Sequence, residues 1–237
     1  MKRQILIAMA GLILTNSVSV KAQDLQPGDL NNNLQIEYKF KTLNAILLEK
    51  KIKNDLEIIQ REKAEALQRE LENERKKNVK FNSYDVTQVS GITYDEMKEV
   101  LSESHYSNFA EISDAFVGAE REYGVNAFFL VAIAGLESGW NTSDRAKNGR
   151  NNIIGMAVYD DNSYGYTYES KYHCIMDLAK QLNAYYLTSG AEHYNGTRTS
   201  EINKKYSSDK NWYKKVDKIG DELVEIYNNK FRNGEPY

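Results

Sequence analysis

The chain has 237 residues, 41% of them apolar and 27% charged, with a formal net charge of −3. That length accommodates one hydrophobic core plus an extended element, since domains typically run about 100–200 residues. The sequence has no basic patch or motif for nucleic acid. Cys174 stands alone, so no internal disulfide can form, and three scattered His give no zinc-binding spacing.

The first segment reads as an export signal. Lys2 and Arg3 precede an apolar run from Ile5 to Leu14, and Val20-Lys21-Ala22 gives a small-residue cleavage pattern. The run is shorter than the ~20 residues of a membrane span, so cleavage after Ala22 is expected over an uncleaved anchor. Loss of Lys2, Arg3 and Lys21 takes the net charge from −3 to −6. Residues 23–33 read as a polar spacer. From 34 to 80 the chain is almost free of Gly and Pro and rich in Glu, Lys, Gln and Leu. Ile36, Phe40, Leu43 and Leu47 step by four, three and four; Leu56, Ile59, Ala64, Leu67 and Leu71 resume after a break. The spacing predicts a long amphipathic helix, read as a coiled coil within or between chains, or as a solvated single helix.

The globular part is expected over 81–237. Thr93-Tyr94-Asp95-Glu96 predicts a capping box opening a helix through Leu101. Ile112, Phe116, Ala119 and Tyr123 mark a second helix stopping at Gly124. Val125, Phe128, Phe129, Ala132, Ile133 and Leu136 mark a third, apolar nearly all round and hence central. Residues 139–169 are polar and rich in Gly, Asn and Tyr, predicting loops with room for a hairpin. Ser170 then caps a helix carrying Ile175, Leu178, Leu182 and Tyr185. Trp212, Val216, Ile219, Leu223 and Ile226 mark the last. The expected class is mainly α, with a small irregular or β-containing lobe.

The third helix ends in a carboxylate, Glu137, followed by Gly139 as a helix stop. The negative end of the helix dipole opposes ionisation there, and partial burial beside Leu136 and Trp140 would act the same way. Both favour the protonated form that a general acid needs. A Glu fraying into solvent is the plainer reading of the helix end alone. The surroundings point elsewhere: many of the 17 Tyr follow residue 150, among amides and acids. Sugar rings bind through flat aromatic faces plus such hydrogen-bonding groups. Asp160, Asp161 and Glu169 are the nearby candidates for a second carboxylate, unless the substrate assists.

Three ordered stretches, GVNAFFLVAIAGLESGWNTS, NNIIGMAVYD and YNGTRTSEINKKYSSDKNWYKKV, resemble the bacterial glucosaminidase family, glycoside hydrolase family 73. The likeness spans roughly 84–227. It implies a lysozyme-like α fold and cleavage of the β-1,4 bond after N-acetylglucosamine in peptidoglycan. On that resemblance Glu137 is the catalytic acid, with Asp160, Glu169 and Tyr206 as further catalytic candidates. Asn152 and Gly155 fall in its NN-x-x-G loop, Tyr159-Asp160 on the pair that follows, and Tyr206, Asp209 and Trp212 on its Y-x-S-D-x-x-W motif. Trp140, Asn152, Gly155, Tyr159, Tyr164 and Asp209 are the expected substrate contacts, while Trp212 reads as mainly structural. Ile154 and Asn141 depart from the family's usual Phe and Gly. The resemblance requires no metal or organic cofactor. The partners it implies are glycan strands, and the expected location is secreted or envelope-associated. A muramidase or lytic transglycosylase, or a non-catalytic envelope protein working through residues 34–80, are the competing readings.

Overall fold

The computed structural model describes residues 27–144, 146–147, 149–157 and 165–232. The expected signal peptide, with Tyr159, Asp160, Asp161 and Tyr164, lies outside the described residues. The chain divides within its first helix into two units, Met1–Ala66 and Leu67–Tyr237, each taken by itself.

Helix α1 spans Pro27–Asn78. The expected spacer over 23–33 therefore gives way to helix at Pro27. Proline suits that first position, because its missing N–H would have no partner in the helix anyway. In the first unit the apolar positions Leu34, Ile36, Phe40, Leu43, Leu47, Leu56 and Ile59 are all exposed. Ion pairs one turn apart, Glu37 with Lys41 and Arg61 with Glu65 (both 2.9 Å), support the helix locally. No helix among the described residues is long and apolar enough to cross a membrane.

The second unit begins with the last turns of α1. Arg75 donates to both carboxylate oxygens of Glu96 (2.6 and 2.9 Å) and to the Gly91 carbonyl (2.8 Å). Arg232 covers the carbonyls of Lys76, Lys77 and Val79 that the helix end leaves open. Helix α2 (Tyr94–Leu101) starts on the capping box, with Thr93 and Glu96 each accepting the other's backbone N–H. A 3-10 segment, Ser104–Ile112, leads into α3 (Ser113–Tyr123), which Gly124 ends in the left-handed conformation. Helix α4 (Ala127–Ser138) is buried along its length through Gly135. It packs on α3, on α5 (Lys171–Gln181) and on α7 (Trp212–Phe231). A short α6, Thr199–Tyr206, lies on α7.

The class is mainly α, as expected, with α4 at the centre. The lobe between α4 and α5 has no strand among the described residues. Two backbone bonds, Tyr166 N–H to the Met156 carbonyl (3.0 Å) and Tyr168 N–H to that of Arg150 (2.9 Å), tie its two sides together. The helix expected through Tyr185 stops being α-helical at Gln181 and continues as a π-helical turn, Leu182–Leu187.

Candidate active site

Both ends of α4 are fixed, and its far end carries Glu137. At the start, the Asn126 side chain accepts the N–H groups of Phe128 and Phe129 and donates to the carbonyls of Lys80 and Gln88. Beside it the buried Glu120 carboxylate accepts N–H of Ala127 and of Ser90, each at 2.7 Å, and the Ser90 hydroxyl at 3.0 Å. A negative group at a helix N-terminus satisfies donors that the helix cannot use itself.

At the other end the chain leaves α4 through three successive left-handed residues, Gly139, Trp140 and Asn141 (φ 57°, 59° and 64°). Such a run is costly for residues with side chains, and local contacts hold it. Ser138 donates to the Ala134 carbonyl (2.6 Å) and accepts the Asn141 N–H (2.8 Å). The Asn141 amide and the Asn108 carbonyl pair at 2.8 Å, and the Asn108 amide reaches the Trp140 carbonyl at 3.1 Å. The Trp140 indole lies over Gly135, where any Cβ would collide with the ring, and meets Tyr106 edge-on at 4.9 Å. Trp140, expected to contact substrate, is thus partly exposed and anchors the turn after Glu137.

Glu137 itself is exposed. The burial expected to favour its proton is not what the fold supplies there, because α4 has left the core by its last turn. Tyr206, the last residue of α6, lies within electrostatic reach of Glu137. Burial first, and then the nearby Glu137 charge, hold its phenol well above the ordinary tyrosine range. Tyr206 stacks at 4.7 Å on Trp212, which is buried and packs in turn against Phe129 of α4. Glu137 and Tyr206 are thus electrostatic neighbours carried by separate helices.

Asn152 is buried and closes its own loop, accepting the Met156 N–H (2.9 Å) and donating to the Met156 carbonyl (3.0 Å). Gly155 sits inside that loop at φ 64°, a value glycine adopts without strain. The lone Cys174, buried in α5, accepts the N–H groups of Ile153 and Ile154, and burial pushes its thiol up to about 12. Glu169 is exposed and lies 3.8 Å from His173. Asp209 accepts the Asn211 N–H (2.9 Å) and pairs with Lys215 (2.7 Å), which shapes the turn into α7. Lys215 holds its carboxyl below the usual range. Tyr186, which helical periodicity did not single out, packs against Tyr206 at 5.5 Å. Among the described residues no cluster of His, Cys, Asp and Glu is arranged to hold a metal ion.

Residues 113–224 match the family described as mannosyl-glycoprotein endo-beta-N-acetylglucosaminidase. Over that stretch, a little under half of the chain, the sequence is similar to the glucosaminidases. Two Streptococcus pneumoniae proteins, from strains TIGR4 and R6, are each 29% identical over 136 residues and are provisionally named endo-beta-N-acetylglucosaminidase. The aligned stretch covers 56% of this chain and about a fifth of each relative (20% and 19%). Among solved structures, S. aureus autolysin E aligns with TM-score 0.49 and 21% identity, over 66% of this chain and 78% of that one. A catalytic mutant of autolysin E in complex with the disaccharide NAG-NAM gives the same score and identity, covering 79% of that chain.

Proposed function

We propose that the chain is an exported peptidoglycan hydrolase that cleaves the β-1,4 bond after N-acetylglucosamine, with Glu137 as general acid. The observation that carries this reading is the carboxylate at the exit of a buried helix, within electrostatic reach of a tyrosine from another helix. Protonated Glu137 donates to the glycosidic oxygen as the bond breaks. Tyr206 keeps its proton and acts as a neutral hydrogen-bond donor beside it. Attack comes from a water activated by a second carboxylate, with Asp160 and Glu169 as the candidates, or from the substrate's own acetamido oxygen. Asn152 and Gly155 shape the loop that follows the Glu137 helix, and Trp140 and Asp209 position the segments flanking Glu137 and Tyr206. Tyr159 and Tyr164 fall in the same lobe as candidate glycan contacts.

Digestion of purified peptidoglycan by the protein and by Glu137→Gln, with products analysed by mass, tests the reading. The expected outcome is release of fragments with a reducing N-acetylglucosamine end, lost in the variant while its melting temperature is kept. Anhydromuramic ends would assign transglycosylation instead, and lysis retained by Glu137→Gln would remove that residue from the mechanism. The exposed apolar positions of α1 support a second proposal, that residues 34–80 engage another copy of the chain or an envelope protein.

A further inference from the structure

Tyr206 is the last residue of α6, a position where a side chain stays in place only if other elements grip it. One grip comes from Trp212, six residues on. The other comes from Tyr186, whose ring meets that of Tyr206 at 5.5 Å and 62°. Tyr186 reaches there through the π-helical turn. The Thr188 N–H bonds the Asn183 carbonyl five residues back (3.1 Å), and the Thr188 hydroxyl donates to the same oxygen (2.8 Å).

The turn has a packing cause. Leu182 and Leu187 are both buried. In an α-helix of 3.6 residues per turn, residues five apart point about 140° from each other. An i→i+5 turn returns them to one face, so both leucines enter the core, while Tyr186 packs partly buried against its edge. Tyr185 is left exposed. Tyr186 is held between two rings, that of Tyr206 and that of His193 (5.1 Å). His193 is tied to the same turn through its N–H on the Tyr185 carbonyl (2.9 Å).

We propose that Tyr186 is a positioning residue for Tyr206: the π-helical turn sets its ring against the Tyr206 ring and so fixes that phenol beside Glu137. The catalytic consequence rests on the function proposed above; the packing consequence does not.

Tyr186→Leu removes the ring and Tyr186→Phe keeps it. On soluble glycan fragments the full chain carrying Tyr186→Leu should lose about tenfold in kcat, since small misplacements near the chemistry are costly, with KM within about twofold. Phe should restore kcat. In combination with Tyr206→Phe, the Leu substitution should add nothing, because both act through one group. A kcat unchanged by Leu, a Phe variant as slow as Leu, or additive losses would each overturn the proposal. Should Tyr186→Leu fail to fold, Tyr186→Met carries the same test.

Fluorine NMR of fluorotyrosine-labelled protein gives a readout independent of activity. The Tyr206 resonance, identified by its loss in Tyr206→Phe, should shift in Tyr186→Leu and return to its parent position in Tyr186→Phe. A resonance that does not move overturns the positioning role. A wild-type chain that cleaves no glycan would instead sink the proposed function, and the fluorine result would still decide the packing.

Discussion

Glu120 sits 4% exposed with no ion-pair partner among the described residues, yet it anchors the helix that carries Glu137. Two readings of such a group give opposite predictions. A buried carboxylate without a cation is a desolvation cost, and removing its charge should stabilise the fold. Alternatively, the charge is held by its donors. The geometry supports the second: one oxygen takes the N–H groups of Ser90 and Ala127 at 2.7 Å each, and the other takes the Ser90 hydroxyl at 3.0 Å and, at 3.4 Å, the Gly91 N–H. Hydrogen bonds to a charged group contribute about 1.5–3 kcal/mol each, and a buried donor left without a partner costs about 1–3 kcal/mol.

In Glu120→Gln the amide oxygen can keep the two backbone donors, and its NH₂ can donate to the Ser90 hydroxyl. What is lost is the charge on two bonds and its interaction with the α4 N-terminus, about 2 kcal/mol in sum. Glu120→Ala leaves both backbone N–H groups buried and unpaired, and should cost about 4 kcal/mol. For a unit of this size about 2–4 °C of melting temperature accompanies each kcal/mol. The two variants should therefore melt about 6 °C and about 12 °C below the parent chain, as read by circular dichroism together with urea midpoints. A Glu120→Gln variant as stable as the parent, or Ala milder than Gln, would refute the reasoning.

Arg75→Met breaks the pairing between the end of α1 and Glu96, whose carboxylate stays buried with Thr93 and Tyr227 as its remaining donors among the described residues. Breaking a buried pair in this way should cost about 3 kcal/mol in urea denaturation at neutral pH. Burial pushes the Glu96 carboxyl up, but the Arg75 and Thr93 hydrogen bonds outweigh it and hold the group below its ordinary value. Its contribution is therefore present above the unfolded value near 4.5 and is lost as pH falls through the lower folded value. The difference between parent and Arg75→Met should shrink across that acid range, and a difference independent of pH would count against the pair. For α1, a chain beginning at Leu67 keeps Arg75 and the core. It should sediment as a monomer if the full chain associates through its exposed apolar positions, and an unchanged sedimentation coefficient per subunit mass would remove self-association.

The helices whose apolar residues recur in one period were legible from the residues alone. Thr93 and Ser170 cap their helices through side-chain oxygens, and Gly124 and Gly139 end theirs in the left-handed conformation. The elements that were not legible are those where the period breaks. The 3-10 segment Ser104–Ile112 and the turn Leu182–Leu187 use spacings other than 3.6, so a search for helical recurrence passes over them. Helix α6 escaped because only Ile202 of its eight residues is a buried apolar side chain. The site followed the same division. Glu137 stood out as a lone acid ending an apolar run, whereas Tyr186 depends on a turn that only the packing of two leucines produces.

The excess of tyrosine separates into two populations once hydroxyl partners are considered. Tyr106, Tyr168 and Tyr227 bury their rings wholly or in part and each donates to one carboxylate, Glu222 (2.7 Å), Asp177 (2.7 Å) and Glu96 (3.2 Å). Burial and that neighbour raise all three phenols, so each remains a neutral donor. A tyrosine of this kind joins core to surface with one side chain and says nothing about sugars. Tyr206 differs in that its nearby acid is Glu137, on the last turn of α4, a helix secured by Glu120 and Asn126 at one end and by Ser138 and Trp140 at the other. That pairing of a helix-end acid with a phenol held by other aromatic rings sets Tyr206 apart from the three anchored tyrosines.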